Sequence, residues 1–377
     1  MKKMIMTPGP TYIHEDVRKA MACEITNPDL DHDFYEFYRD TCNQVKDLLH
    51  TKNDVLMLAG EGILGLEASC ASLVEEGDRV LCIDNGIFGH GFGDFLQMYG
   101  GDVVYFEAEY TSDIEVEALE GFLKEDHDFK LATLVHCETP SGITNPVDKI
   151  CKLLKSYGIL TVVDSVSAIG GEPLNVDEWG IDIVLGGSQK CLSAAPGLTF
   201  LSVSQDAWAM MNNRKTPVRG YYCNLSKWQS WYEDKWFPYT QSISEIYGFR
   251  KAVERVNTKG DYIERHKKIG QAVRKSLLEG GLKLYPTSGH SNTVTTMMVP
   301  ENIAFKSLYD TMLDDHGIMI AGAFSHLKDK VLRIGHMGEN CYEEKLFITL
   351  KALDKTIRKH GFDLKVELHK SFANHLD

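Results

Sequence analysis

The chain has 377 residues, 43% hydrophobic and 25% charged, the make-up of a soluble globular protein long enough for two domains. Its 40 basic and 54 acidic residues leave a formal charge of −14. That excludes a nucleic-acid surface, which needs clustered Lys and Arg, but not a small anionic substrate.

Short apolar runs alternate with helix-period segments through the first half. The runs are DVLMLAG (54–60), RVLCID (79–84), DVVYFEAE (102–109), LATLVHC (131–137), LTVVDS (160–165), IDIVLGG (181–187) and LTFLSVS (198–204). Helical patterns follow at 63–75, from about Phe88, and at 146–157. Buried β-branched runs with helical crossovers predict a largely parallel sheet covered on both faces. Such sheets bind ligands at the carboxyl ends of their strands. After about residue 250 the texture changes. A long helix at 243–256 and another at 261–279 precede a strand at 292–300, a helix at 303–315, strands near 317–321 and 331–335, and a helix at 343–359. This predicts a smaller C-terminal α/β domain.

Nine scattered cysteines, with no C-x-x-C and no H-E-x-x-H, predict reduced thiols in a cytoplasmic protein, with no disulfide frame and no metal site. The opening MKKMIMTPGP meets Pro8 before any apolar signal core, and no later run is long enough to cross a bilayer.

Two strand ends stand out chemically. In VLGGSQKCLSAAPG (184–197), Lys190 follows a buried strand. It reads as a Schiff-base nucleophile, since a desolvated amine loses its proton readily, or as a lysine snorkelling off a strand end. In VVDSVSAIGG (162–171), Asp164 ends the preceding strand. A buried carboxylate there needs a cation or strong donors, and a pyridinium nitrogen suits it; a turn aspartate is the plainer reading. A third stretch, LAGEGILGLEAS (58–69), contains G-x-G-x-x-G at Gly60, Gly62 and Gly65, with Asp84 nineteen residues beyond. That spacing matches a dinucleotide-binding turn and predicts an NAD-dependent oxidoreductase as the rival function.

Taken together, TPGP, NGIFGHGFGD (85–94), HCETPSGITNP (136–146), VDSVSAIGG (163–171), GSQKCLSAAPG (187–197) and VLRIGHMG (331–338) resemble the class V aminotransferases of the alanine–glyoxylate (serine–pyruvate) group. The resemblance runs over essentially the whole chain. It implies an α/β fold of the fold-type-I kind, with a large domain built on a mainly parallel seven-stranded sheet. The expected division is an N-terminal arm (1–15), a large cofactor-binding domain (16–250) and a small C-terminal domain (251–377). It implies pyridoxal 5′-phosphate as cofactor, an amino donor and a 2-oxo acid as substrates, and a homodimer with shared active sites.

By the same resemblance, Lys190 carries the cofactor and shuttles a proton, and Asp164 partners the pyridine nitrogen. Val166 lies under the ring, Phe88 stacks on its other face, and Thr139 sits beside the ring hydroxyl. Gly62 and Ile63 belong to the phosphate-binding turn, Ser188 and Gln189 contact the cofactor end, and Thr240 reaches the partner subunit's cofactor. Arg333 clamps the substrate α-carboxylate. Asp84 then becomes a strand-end residue only.

The phosphate turn departs from the group's pattern. Glu61 and Ile63 stand where a hydroxyl residue and often a histidine occur. A carboxylate beside a phosphate dianion is a like-charge pair. Either Glu61 turns to the helix N-terminus, or the phosphate is absent. GEGILGLEAS, FPYTQSISEIYG and RIGHMG resemble the pyridoxamine–pyruvate branch of the group. That branch takes the unphosphorylated vitamin, free pyridoxal or pyridoxamine, as a substrate and carries Glu in this turn. The branch also has a second arginine nine residues before the clamp, where this chain has Phe324.

Overall fold

The computed structural model describes residues 3–376; residues 1 and 2 of the expected arm, and residue 377, lie outside them. Seven strands make the large sheet: β1 (Asp54–Ala59), β2 (Arg79–Asp84), β3 (Asp102–Glu107), β4 (Leu131–Val135), β5 (Leu160–Asp164), β6 (Ile183–Gly187) and β7 (Leu198–Val203). Their spatial order is β1-β7-β6-β5-β4-β2-β3. The pairs β2–β3, β2–β4, β4–β5 and β5–β6 are parallel, whereas β7 runs antiparallel to both β1 and β6. Length explains the exception. Only residues 188–197 join β6 to β7, too few for a helical crossover, so the chain turns back. That turn carries Lys190.

Strands β4 to β7 are buried at every position, as their Val-, Leu- and Ile-rich runs require of a sheet covered on both faces. Two helices start at strand ends that matter for the site: α1 (Gly62–Leu73), directly after β1, and α2 (Ile87–Met98), after β2.

The strand order removes the dinucleotide reading. β1 lies at one edge, and β7, β6, β5 and β4 stand between it and β2. A dinucleotide site needs its acid-bearing strand beside the strand of the glycine turn. Asp84 is instead buried in a local network. Its carboxylate accepts from Gly86 N–H at 3.1 Å and Tyr110 Oη at 2.9 Å, and it lies 2.8 Å from His90 Nδ1.

The C-terminal part holds a second apolar core, formed by residues such as Ile269, Val273, Leu332, Leu350 and Phe372. Helices Tyr262–Glu279, Phe305–Asp314, Glu343–Lys359 and Leu368–Asn374 surround the antiparallel pair Val294–Met298 and Val331–Gly335, in which Thr296 faces Arg333. The strand expected near 317–321 shrinks to Ile318–Met319. It pairs in parallel with Met4–Ile5, so the chain's first strand completes this second unit. Among the described residues no helix is long and apolar enough to cross a membrane.

Candidate active site

The carboxyl ends of β4, β5 and β6 open on one cavity, facing the start of α1. Glu61, Gly62, Ile63, Phe88, Thr139, Asp164, Val166 and Lys190 all line it, as do Leu66, Cys137 and Ser167. Residues more than a hundred positions apart thus converge where strand-end reasoning placed them. Gly62 is required by space. A Cβ there would lie 2.7 Å from Val166 Cγ2, so a larger residue would push α1 away from the turn after β5.

Asp164 is 8% exposed. Its carboxylate accepts one hydrogen bond, from Val166 N–H at 2.9 Å, and makes no ion pair among the described residues. Burial raises its pKa to about 6, against the lowering pull of that bond and of the Lys190 charge. A cation placed beside this carboxyl would favour its anion. Lys190 is displaced in the opposite sense: burial first, and then the Arg333 charge, lower the pKa of its amine. Such an amine is neutral more often than a surface lysine and so is better able to take up a proton.

Arg333 is cationic and without an ion pair among the described residues. Its Nε donates to Gly322 O at 2.6 Å and its Nη1 to Thr139 O at 3.3 Å. Burial lowers its pKa to about 10, opposed by the Glu138 charge. The guanidinium is oriented by carbonyls on either side of the seam and keeps donors for a carboxylate.

Glu61 caps α1 with its own side chain. Its Oε1 accepts from Ile63 N–H at 3.2 Å, and its Oε2 accepts from Gln189 Nε2 at 3.3 Å. The helix N-terminus that would welcome an external anion is met by a carboxylate of the chain itself.

The class-V aminotransferase family matches residues 17–332. The chain is a class-V aminotransferase. It is 34% identical over 369 residues to an uncharacterized aminotransferase of Methanocaldococcus jannaschii, covering 97% of this chain and 95% of that one. It is 30% identical to the pyridoxamine–pyruvate transaminase of Mesorhizobium japonicum, over 96% of this chain and 93% of that one. The solved pyridoxamine–pyruvate aminotransferase from Mesorhizobium loti superposes with a TM-score of 0.96 at 28% identity, covering 100% and 98% of the two chains. The fold is therefore fold type I, and the activity moves an amino group from an amino donor to a 2-oxo acid.

Class-V aminotransferases depend on pyridoxal phosphate, and the cavity of this aminotransferase suits the ring. It offers an aromatic wall at Phe88, an apolar contact at Val166, an unpaired buried carboxylate at Asp164 and an amine at Lys190. Thr139 Oγ1 is 2.5 Å from Ser167 Oγ, a hydroxyl pair at the same rim. Ser188 and Gln189 stand behind the lining. Ser188 Oγ donates to Ala195 O at 2.6 Å, and Gln189 Oε1 is buried with no hydrogen-bond partner among the described residues. Thr240 is exposed and does not line its own chain's cavity.

Sequence reasoning passed over Glu138. It is fully buried, and its carboxylate accepts from Phe88 N–H at 3.0 Å and Gly89 N–H at 3.0 Å, capping α2 where Gly86 offers no side chain. Burial pushes its pKa up to about 7. The signal was a carboxylate inside the strand-end stretch HCETPSG. Phe324, opposite the pocket wall, meets the Phe88 ring edge-on at 5.8 Å between centroids.

Proposed function

We propose that this aminotransferase delivers the amino group to a small 2-oxo acid, pyruvate or glyoxylate. We further propose that it takes pyridoxamine or pyridoxal without the 5′-phosphate as its partner substrate. The observation that carries the second statement is the Glu61 carboxylate bonded to Ile63 N–H at the start of α1, where an ester phosphate is otherwise bound. A 5′-hydroxymethyl group can donate to that carboxylate; a phosphate dianion is repelled by it. The name of the Mesorhizobium relative supports the reading.

When bound as pyridoxamine, the group would supply the amine for the oxo acid's carbonyl, with water as the leaving group, and a ring able to hold an electron pair while a proton passes from its 4′-carbon to the substrate's α-carbon. The chain's residues do the rest. Asp164 holds the proton on the pyridine nitrogen, because its anion is costly in this site without a cation. Lys190 Nζ would carry the proton that passes between the 4′-carbon and the substrate's α-carbon, general acid–base work worth roughly 10²–10⁴ in rate. Arg333 holds the substrate carboxylate in a fork of two hydrogen bonds. Phe88, Val166 and Thr139 line the cavity that would hold the ring.

The domain division belongs to the same proposal, with residues 16–250 holding the cofactor and 251–377 supplying the clamp. So does a homodimer. Thr240 lies away from its own cavity, as a residue serving a partner's site must, and Tyr221, Tyr222 and Trp236 in the same segment are large exposed side chains. Nine free thiols support a reducing, cytoplasmic setting.

A second reading, an alanine–glyoxylate-type enzyme holding the phosphorylated cofactor permanently, is favoured by the backbone N–H groups of α1. Absorption and mass spectra of the purified protein separate the two. Phosphate ester retained through dialysis refutes the free-vitamin reading. Turnover of pyridoxamine with pyruvate, with borohydride fixing pyridoxal on Lys190, supports it.

A further inference from the structure

The TPGP stretch (7–10) links two anchors. On one side, Met4–Ile5 lie in the second unit's sheet, and Gly335 N–H donates to Met6 O at 2.8 Å. On the other, Thr11 is tied to the lysine turn. Its N–H donates to Gln189 O at 3.1 Å, and its Oγ1 donates to Lys190 O at 2.9 Å and lies 2.9 Å from Ser193 Oγ. Between the anchors the chain passes over Lys190, whose Nζ donates to Pro8 O at 2.9 Å.

Two glycines make the passage close. Gly9 has φ +98°, and a Cβ there would lie 2.5 Å from Lys190 Cδ and 2.7 Å from Nζ. A Cβ on Gly335, two residues beyond Arg333, would lie 2.3 Å from Thr7 O. One segment thus touches both the amine and the strand of the carboxylate clamp.

We propose that residues Thr7–Thr11 form a strap that positions Lys190: the Pro8 carbonyl holds Nζ whenever the amine is free, Gly9 leaves it room to move, and Thr11 fixes the strap to the lysine turn. The inference deepens the reading of Lys190 given above and rests on it. The chemistry of the acceptor matters. A carboxylate at this place would bind the proton firmly; a neutral carbonyl orients the amine without trapping its proton. Because the strap also abuts the Arg333 strand, a shift of that strand on binding a substrate carboxylate would be passed to the lysine.

The test reads Lys190 directly, in the full-length protein freed of cofactor. Acetic anhydride acylates the neutral amine, and peptide mass spectrometry gives the fraction modified at Lys190 against pH. Losing a hydrogen-bond acceptor disfavours the ammonium, so the midpoint falls. Gly9→Ala, which forces Nζ off Pro8, is expected to lower it by about one pH unit. Thr11→Val should move it the same way by less, and Thr11→Ser, which keeps the hydroxyl, should restore the parental value. The charged and titratable groups facing Nζ, namely Arg333, Asp164, Cys137 and Cys191, stay in place throughout.

If Gly9→Ala does not fold, the Thr11 pair decides. A strap that is merely structural would lower the melting temperature and leave the midpoint unmoved, and that result overturns the proposal. Failure of borohydride to fix pyridoxal on Lys190 of the parent would sink the functional reading, but not the labelling measurement.

Discussion

Replacing Asp164 with Asn should make the cofactor-free protein more stable while disabling the enzyme. The folded carboxyl titrates at about 6 against an ordinary 3.8, chiefly because burial penalises the anion. A raised carboxyl pKa means that the folded state binds the proton more tightly. Stability therefore falls as pH rises from 3.8 to about 6, and the loss is complete above that window. A displacement of roughly two units corresponds to about 3 kcal/mol. Asn keeps an acceptor for Val166 N–H and carries no charge, so above the window the variant should recover a sum of that order. With an unfolding entropy of about 2.1 cal/mol/K per residue, the 377-residue chain should melt about 4 °C higher. Below 3.8 the two proteins should melt together, since the parent's carboxyl is then protonated in both states. Adding pyridoxal should reverse the order, because only the parent offers an anion to the ring nitrogen. Catalysis should drop at least about a hundredfold. Calorimetry of cofactor-free protein across the window, with and without pyridoxal, checks the whole argument. A variant no more stable than the parent above it, or equally stabilised below it, refutes the reasoning.

Arg333→Lys should raise the KM for pyruvate by about ten- to a hundredfold, because a point charge replaces a two-pronged donor. Steady-state kinetics with the oxo acid varied reads this, and an unchanged KM removes Arg333 from the substrate. Glu61→Ser should tighten binding of pyridoxal phosphate about tenfold while weakening that of pyridoxal, since the like charge goes and a hydroxyl donor arrives. Equilibrium dialysis with both ligands distinguishes this from a general loss of binding. Gly65→Ala should cost about 1–3 kcal/mol by denaturant unfolding, because its Cβ would lie 2.6 Å from Thr199 Oγ1 on β7. A neutral result would mean that α1 can lift off the sheet freely.

Much of the fold was legible because its signals are local. The run at 331–335 is a strand with those bounds, and 343–359 is a helix with acidic residues in its first turn and basic ones in its last. Lys190, Asp164 and Thr139 sit at the ends of buried runs, where such sheets bind their ligands, but so does Asp84; the resemblance was needed to separate them. Strand ends in the second unit were less legible. Ile318–Met319 is a strand because Met4–Ile5 lies beside it, a partner more than three hundred residues away. Glu138 and the strap over Lys190 were missed for the same reason. A buried carboxylate capping α2 and a backbone carbonyl holding an amine have no residue pattern of their own.

LAGEGILGLEAS marks the boundary between the two kinds of knowledge. From the sequence, its glycines specify a tight turn into a helix, and Glu61 specifies a charge at that turn, since both are properties of residue type and spacing. Whether Asp84 could share a ligand with them depended on which strands are neighbours, and only the tertiary structure decided that. A parallel sheet can be wound in several orders with the same local hydrogen bonding. Here the short β6–β7 turn inserts an antiparallel strand beside β1, and β7, β6, β5 and β4 together separate β1 from the strand of Asp84. Tertiary structure also brought Gln189 Nε2 to 3.3 Å from the Glu61 carboxylate, across 128 residues of chain.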